Sequence, residues 1–170
     1  WRHKLLHIEK LDDDQISPYL DYGTIVHAAC EDYLTTKTYD LDKVEQSLRE
    51  AWAEKGFDTE EYVKAQTDRA TSQGWTYHHE PLETWISWAK TSIQAVPNFL
   101  DENFPEWTCI KAEEELYEEV SDLSVFFKGF IDGVIKFTNA KGQERYLVLD
   151  WKTSKKYGWP TSKKREFLTQ

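Results

Sequence analysis

Two runs rich in β-branched and aromatic side chains, Val125 to Phe137 and Arg145 to Thr153, flank the polar segment Thr138-Asn139-Ala140-Lys141-Gly142-Gln143-Glu144. Such runs, joined by a short polar connection containing glycine, pair most simply as an antiparallel hairpin with a long loop. If the loop is centred on Lys141, the numbers of opposed residues sum to 282, so Val134 faces Val148, Ile135 faces Leu147 and Asp132 faces Asp150. Directly opposed side chains share a sheet face with Cβ atoms about 4.5–5.5 Å apart, which brings two carboxylates within reach of one divalent cation. Lys152 falls on that face opposite Phe130, and Trp151 projects to the other with Leu149, Leu147, Ile131 and Ile135.

Apolar residues on both sides of these strands predict that both faces are largely buried. A buried carboxylate is expensive unless it is paired or metal-bound. The plain alternative to a cation site is an ion pair of Lys152 with Asp150 or Asp132. Gly129 and Gly133 bracket Phe130-Ile131-Asp132 and leave room for a ligand to approach, which favours the site.

The first hundred residues read mostly as helix. Ile25, Val26, Ala29, Cys30 and Tyr33 recur at helical spacing between Asp21 and about Thr35, with His27 and Glu31 on another face at i, i+4. Asp42 and Glu45 resemble a capping box ahead of a stripe formed by Leu41, Val44, Leu48, Ala51 and Trp52, and that helix ends near Gly56. A short helix opens at Asp58 or Thr59. A longer one carries Leu82, Trp85, Ile86, Ala89, Ile93 and Val96 until Pro97 bends or interrupts it. A further strand spans roughly Thr108 to Tyr117. His78 and His79 with Glu83 offer a weaker second metal site, for which a packed or exposed pair is the better reading.

At 170 residues with 25 aromatics, the chain supports one substantial core and therefore one domain, 1–170. No apolar run approaches the ~20 residues of a bilayer-spanning helix, so no membrane role is expected. Two cysteines, Cys30 and Cys109, are too few for a disulfide framework, which fits a reducing, cytoplasmic setting. The absence of methionine suggests a fragment truncated at both ends. The net charge of −10 argues against a general electrostatic grip on nucleic acid. The charge is uneven, however. Lys152, Lys155, Lys156, Lys163, Lys164 and Arg165 against Glu166 give residues 151–170 a net +5 and leave −15 for the remainder.

Gly23-Thr24-Ile25-Val26-His27, Gly129-Phe130-Ile131-Asp132 and Asp150-Trp151-Lys152-Thr153-Ser154 resemble, in order, the G-x-x-x-H, G-x-I-D and D-x-K-T-S motifs of the PD-(D/E)XK nuclease superfamily, in its RecB-type and CRISPR-associated exonuclease branch. Gln170 matches the start of that branch's Q-x-x-x-Y helix, and Trp1-Arg2-His3-Lys4 the end of its N-terminal helix. The resemblance implies an α/β fold: a restriction-endonuclease-like core with a small mixed central sheet, flanking helices and a helical insertion at about 40–105. It implies that His27, Asp132, Asp150 and the Trp151 backbone carbonyl ligate Mg²⁺ or Mn²⁺, and that Lys152 positions the attacking water. An additional acid is implied at Glu113, with Glu115 in reserve. The cysteines that hold an iron–sulfur cluster in some relatives would fall outside both ends.

The activity so implied is metal-dependent DNA cleavage by an exonuclease, in recombination or repair and within a larger complex. Asp132, Asp150, Lys152 and Glu113 carry the chemistry, and Lys155, Lys156, Lys163, Lys164 and Gln170 contact the nucleic acid. An imidazole ligand makes Mn²⁺ more acceptable than an all-oxygen site would. The rival reading is a non-catalytic nucleic-acid-binding or assembly module that retains the fold.

Overall fold

The computed structural model describes residues 17–120 and 125–153. In chain order these form α1 (Pro18–Thr36), α2 (Leu41–Lys55), α3 (Glu60–Ser72), α4 (Leu82–Asn103), β1 (Thr108–Val120), β2 (Val125–Thr138) and β3 (Glu144–Leu149). The three strands form an antiparallel sheet in the order β1-β2-β3. This is a mixed α/β architecture consistent with a restriction-endonuclease-like core.

Helix α1 is the central element. Tyr22, Val26, Ala29, Cys30, Tyr33 and Leu34 are buried along it, more than one apolar stripe can account for, because α2 and α4 pack on one side and the sheet on the other. Pro18 sits in its first turn, where a missing N–H matters least, and Lys37 closes it in the left-handed conformation at φ 61°. Leu48, Ile93, Leu100 and Ile135 complete the fully buried centre. Burying side chains of this kind is worth about 1.5–3 kcal/mol each.

That magnitude explains Pro97, which lies inside an uninterrupted α4 rather than ending it. An interior proline costs about 3 kcal/mol. Ile93, Val96 and Leu100 are all buried around it and together outweigh that cost. The cap of α2 also differs from expectation. The Asp40 side chain, not that of Asp42, accepts from the backbone N–H groups of Asp42 and Lys43, because Asp40 has the extended backbone of an N-cap at φ −114°. Asp42 is left in the first turn, where its charge meets the positive end of the helix dipole. Gly56 ends α2 at φ 65°, and Thr59 caps α3, both as the sequence suggests.

The hairpin has the expected register throughout: Gly133 pairs with Leu149, Val134 with Val148, Ile135 with Leu147, and so on to Thr138 with Glu144. Asn139 organises its loop. Its Oδ1 accepts from the N–H groups of Lys141 and Gln143, while Gly142 turns the chain at φ 72°. Two expectations fail here. The ladder stops at Leu149, so Asp150 to Thr153 leave the sheet rather than extending β3. Among the described residues only one face is covered, too: Ile135 and Leu149 are buried toward α1, whereas Phe130, Tyr146 and Val148 on the other face are exposed.

At Gly133 the helix and sheet approach most tightly. A Cβ there would lie 2.5 Å from Leu34 Cδ1 and 3.6 Å from Leu149 Cδ1. Leu34 is itself fully buried and has no space to swing into. Gly133→Ala should therefore destabilise the fold by about 1–3 kcal/mol, read as a lowered urea midpoint with unchanged slope.

Candidate active site

His27, Glu31 and Leu34 lie one above another on the α1 face that meets the sheet, since residues four and three apart share a helix face. Leu34 rests over Gly133. One turn along, Glu31 shares a side-chain hydrogen bond with Glu113 of β1. A further turn along, His27 Nδ1 stands 3.7 Å from Asp132 Oδ1. That separation is too long for a hydrogen bond and leaves both groups available to a shared partner.

Asp132 is oriented by the segment that leaves the sheet. The Trp151 N–H donates to Asp132 Oδ2 at 2.5 Å, in place of a ladder carbonyl, which is why β3 ends one residue before Asp150. With Oδ2 so engaged, Oδ1 is the oxygen turned toward His27. The Asp150 and Lys152 side chains pair with each other at 2.5 Å. They are 62% and 68% exposed, against 20% for Asp132 and 35% for His27. The ion pair that the sequence offers as the plain alternative is therefore present, and it is solvent-exposed.

Glu113 lies opposite Asp132 at an unpaired step of the β1–β2 ladder, between the pairs Ala112–Gly133 and Glu114–Ile131, whereas the register shift itself falls between Cys109 and Lys111. Its backbone is left-handed at φ 48°, uncommon for a residue with a Cβ, so the strand is strained where its carboxyl turns to α1. Burial, then the hydrogen bond to Glu113, raises the pKa of Glu31. Glu115, the reserve acid, is tied to Lys128 at 2.7 Å and lies outside this cluster. Cys30 is buried beneath the site; burial and the negative charge of Asp132 push its thiol up to about 12, which keeps it an unreactive packing residue.

Glu31 is the member that sequence reasoning passed over. Its i, i+4 relation to His27 was visible, but its partner across the helix–sheet interface depends on the strain at Glu113. Conversely, His79 pairs with Asp58 at 3.1 Å and Glu83 with Arg49 at 2.8 Å, so the histidine pair and Glu83 do not converge. Lys155, Lys156, Lys163, Lys164 and Gln170 lie outside the described residues.

Among the described residues no three His, Cys, Asp or Glu side chains enclose a cation site. The donor set nevertheless fits a hard divalent ion. Asp132 presents one oxygen beside the imidazole of His27, Asp150 directly follows the paired Leu149, and the nearby Glu31–Glu113 carboxyls crowd one another in a way that added positive charge would relieve. No helix is long and apolar enough to cross a membrane among the described residues.

A family model described as the PD-(D/E)XK nuclease superfamily matches residues 1–170. No curated protein and no solved structure matches.

Proposed function

From the premise that this chain belongs to the PD-(D/E)XK nuclease superfamily, we propose that it is a divalent-metal-dependent deoxyribonuclease, acting as an exonuclease in intracellular recombination or repair. The observation that carries this reading is the His27–Asp132 approach at 3.7 Å, with the backbone of the Asp-x-Lys segment bonded to the same carboxylate. One carboxylate thus joins all three motifs. The exonuclease assignment is supported by the likeness of those motifs to the RecB-type branch.

Asp132 and Asp150, assisted by His27 and the Trp151 carbonyl, would hold the cation. When bound, Mg²⁺ or Mn²⁺ lowers the pKa of water and supplies positive charge against the scissile phosphate. The Lys152 ammonium, released from Asp150, orients the attacking water and offsets charge that develops on the phosphoryl oxygens. Water adds to phosphorus, the bond to one sugar oxygen breaks, and that oxygen takes up a proton. The carboxyls of Glu31 and Glu113 meet at the edge of this centre, Glu113 lying opposite Asp132. The acidic remainder of the chain repels phosphate, so strand binding relies on the basic 151–170 segment.

Incubation of the protein with end-labelled linear and with circular DNA, in Mg²⁺, Mn²⁺ or EDTA, tests the proposal beside an Asp150→Ala variant. Loss of label from linear DNA alone is expected, with dependence on the ion and on Asp150. Equal inertness of both proteins in every condition would instead favour a non-catalytic module.

A further inference from the structure

Helix α3 buries only Ala70, so it stands off the α1–α2–α4 bundle and leaves an open pocket of about 320 Å³ between them. The floor is apolar: Phe57 and Trp85 are buried there. The walls are not. Trp75 is 49% exposed, yet its ring is held in place because Nε1–H donates to Gln73 Oε1 at 3.0 Å. Tyr19 is similarly open and is fixed edge-on against Trp85, with ring centroids 4.9 Å apart. Gln66 and Arg69 reach the rim from α3. Arg69 has no ion-pair partner among the described residues, although the chain carries 31 acidic side chains.

Aromatic rings that are ordered but uncovered, beside a free guanidinium and a carboxamide, match the parts of a nucleotide. The rings offer stacking surface for a base, the carboxamide has a donor and an acceptor for its edge, and the guanidinium suits a phosphate. The volume lies at the small end of ligand sites, enough for one base and too little for a base pair. Position agrees as well. The pocket opens at the start of α1, and nine residues along that helix, about 14 Å, separate Pro18 from His27. A stacked strand at about 3.4 Å per phosphate covers that distance in about four nucleotides.

We propose that this pocket binds one unpaired base and its phosphate from a single strand that runs on to the His27–Asp132 centre. The inference rests on the nuclease reading for what the strand is doing there. It gives the helical lobe a role, which is to hold the strand a few nucleotides from the bond that is cut, and it makes single-stranded ends the preferred substrate.

Binding of the whole chain to labelled single-stranded oligonucleotides in EDTA separates the two ideas, because no cleavage intervenes. One oligonucleotide is intact and its twin is abasic over the same stretch; a free mononucleotide serves as competitor. The parent protein should prefer the intact strand by about 10-fold, the scale of one stacked base. Trp75→Ala should erase that preference, Trp75→Phe should keep most of it, and Arg69→Gln should weaken both strands alike. An unchanged preference in Trp75→Ala would overturn the pocket assignment, as would a free mononucleotide that competes as well as the strand. A retained, Trp75-dependent preference without cleavage in Mg²⁺ or Mn²⁺ would overturn the nuclease reading and leave the base pocket standing.

Discussion

Asp132→Asn should abolish strand cleavage, with a loss of at least about 10²–10³-fold in kcat, while leaving the fold nearly as stable as before. The expectation follows from the two separate duties of this carboxylate. Its Oδ2 accepts the Trp151 N–H, and an asparagine oxygen can do the same. Its Oδ1 faces His27, and there the negative charge is what a divalent cation needs. Asparagine keeps the first duty and removes the second. Asp132→Ala removes both and leaves the Trp151 N–H without its acceptor, which should add about 1–3 kcal/mol of destabilisation. Cleavage assays on the two variants, beside urea unfolding of each, distinguish charge from scaffold. Full activity in Asp132→Asn would show that the carboxylate only holds the chain, and the proposed metal centre would fall.

The same double duty explains which parts of the site could be read from sequence. The register of the hairpin follows from alternation and from a polar loop whose centre is marked by Asn139 and Gly142, so the pairing from Gly133–Leu149 to Thr138–Glu144 was predictable by counting, whereas the expected Asp132–Asp150 pair does not form. Counting could not show that Trp151 would abandon the ladder for a side chain, because that exchange depends on the carboxylate of another strand. The open sheet face was misread for a related reason. Phe130, Tyr146 and Val148 have core-like chemistry, and nothing local distinguishes an apolar face that is covered from one that is not. Pro97 and Asp40 show the limits of local rules in opposite ways. Tertiary burial overrides the helix-breaking residue, while the cap is set by a backbone angle that two nearby aspartates could each have adopted. Glu31 and Glu113 were legible as acids on their elements but not as partners, since a left-handed residue inside a strand leaves no pattern in the sequence.

Gly23→Leu should reduce cleavage by about 10²-fold or more without unfolding the protein. Gly23 is in the interior of α1, where glycine is the poorer helix former, so leucine favours the helix by up to about 1 kcal/mol. The reason for glycine lies across the interface. A Cβ at this position would stand 3.2 Å from Thr153 Oγ1, in the segment that follows Asp150 and Lys152. A single methyl is tolerable, because Thr153 is exposed and its hydroxyl can rotate away. A branched four-carbon side chain is not, and the segment must move off the helix. His27, one turn further along α1, stays where it is, so the displacement falls on the geometry between His27–Asp132 and the Asp150–Lys152 pair. Misplacement of reacting groups by about 1 Å costs on the order of 10²-fold in rate. The measurement is a paired one: thermal unfolding of parent, Gly23→Ala and Gly23→Leu, against their single-turnover cleavage rates. Stability that holds or rises while rate falls steeply only at leucine is the expected pattern. Activity lost in proportion to stability would instead make Gly23 a packing residue, and the G-x-x-x-H spacing would then owe its form to helix–strand contact alone rather than to the alignment of an imidazole with two carboxylates and a lysine.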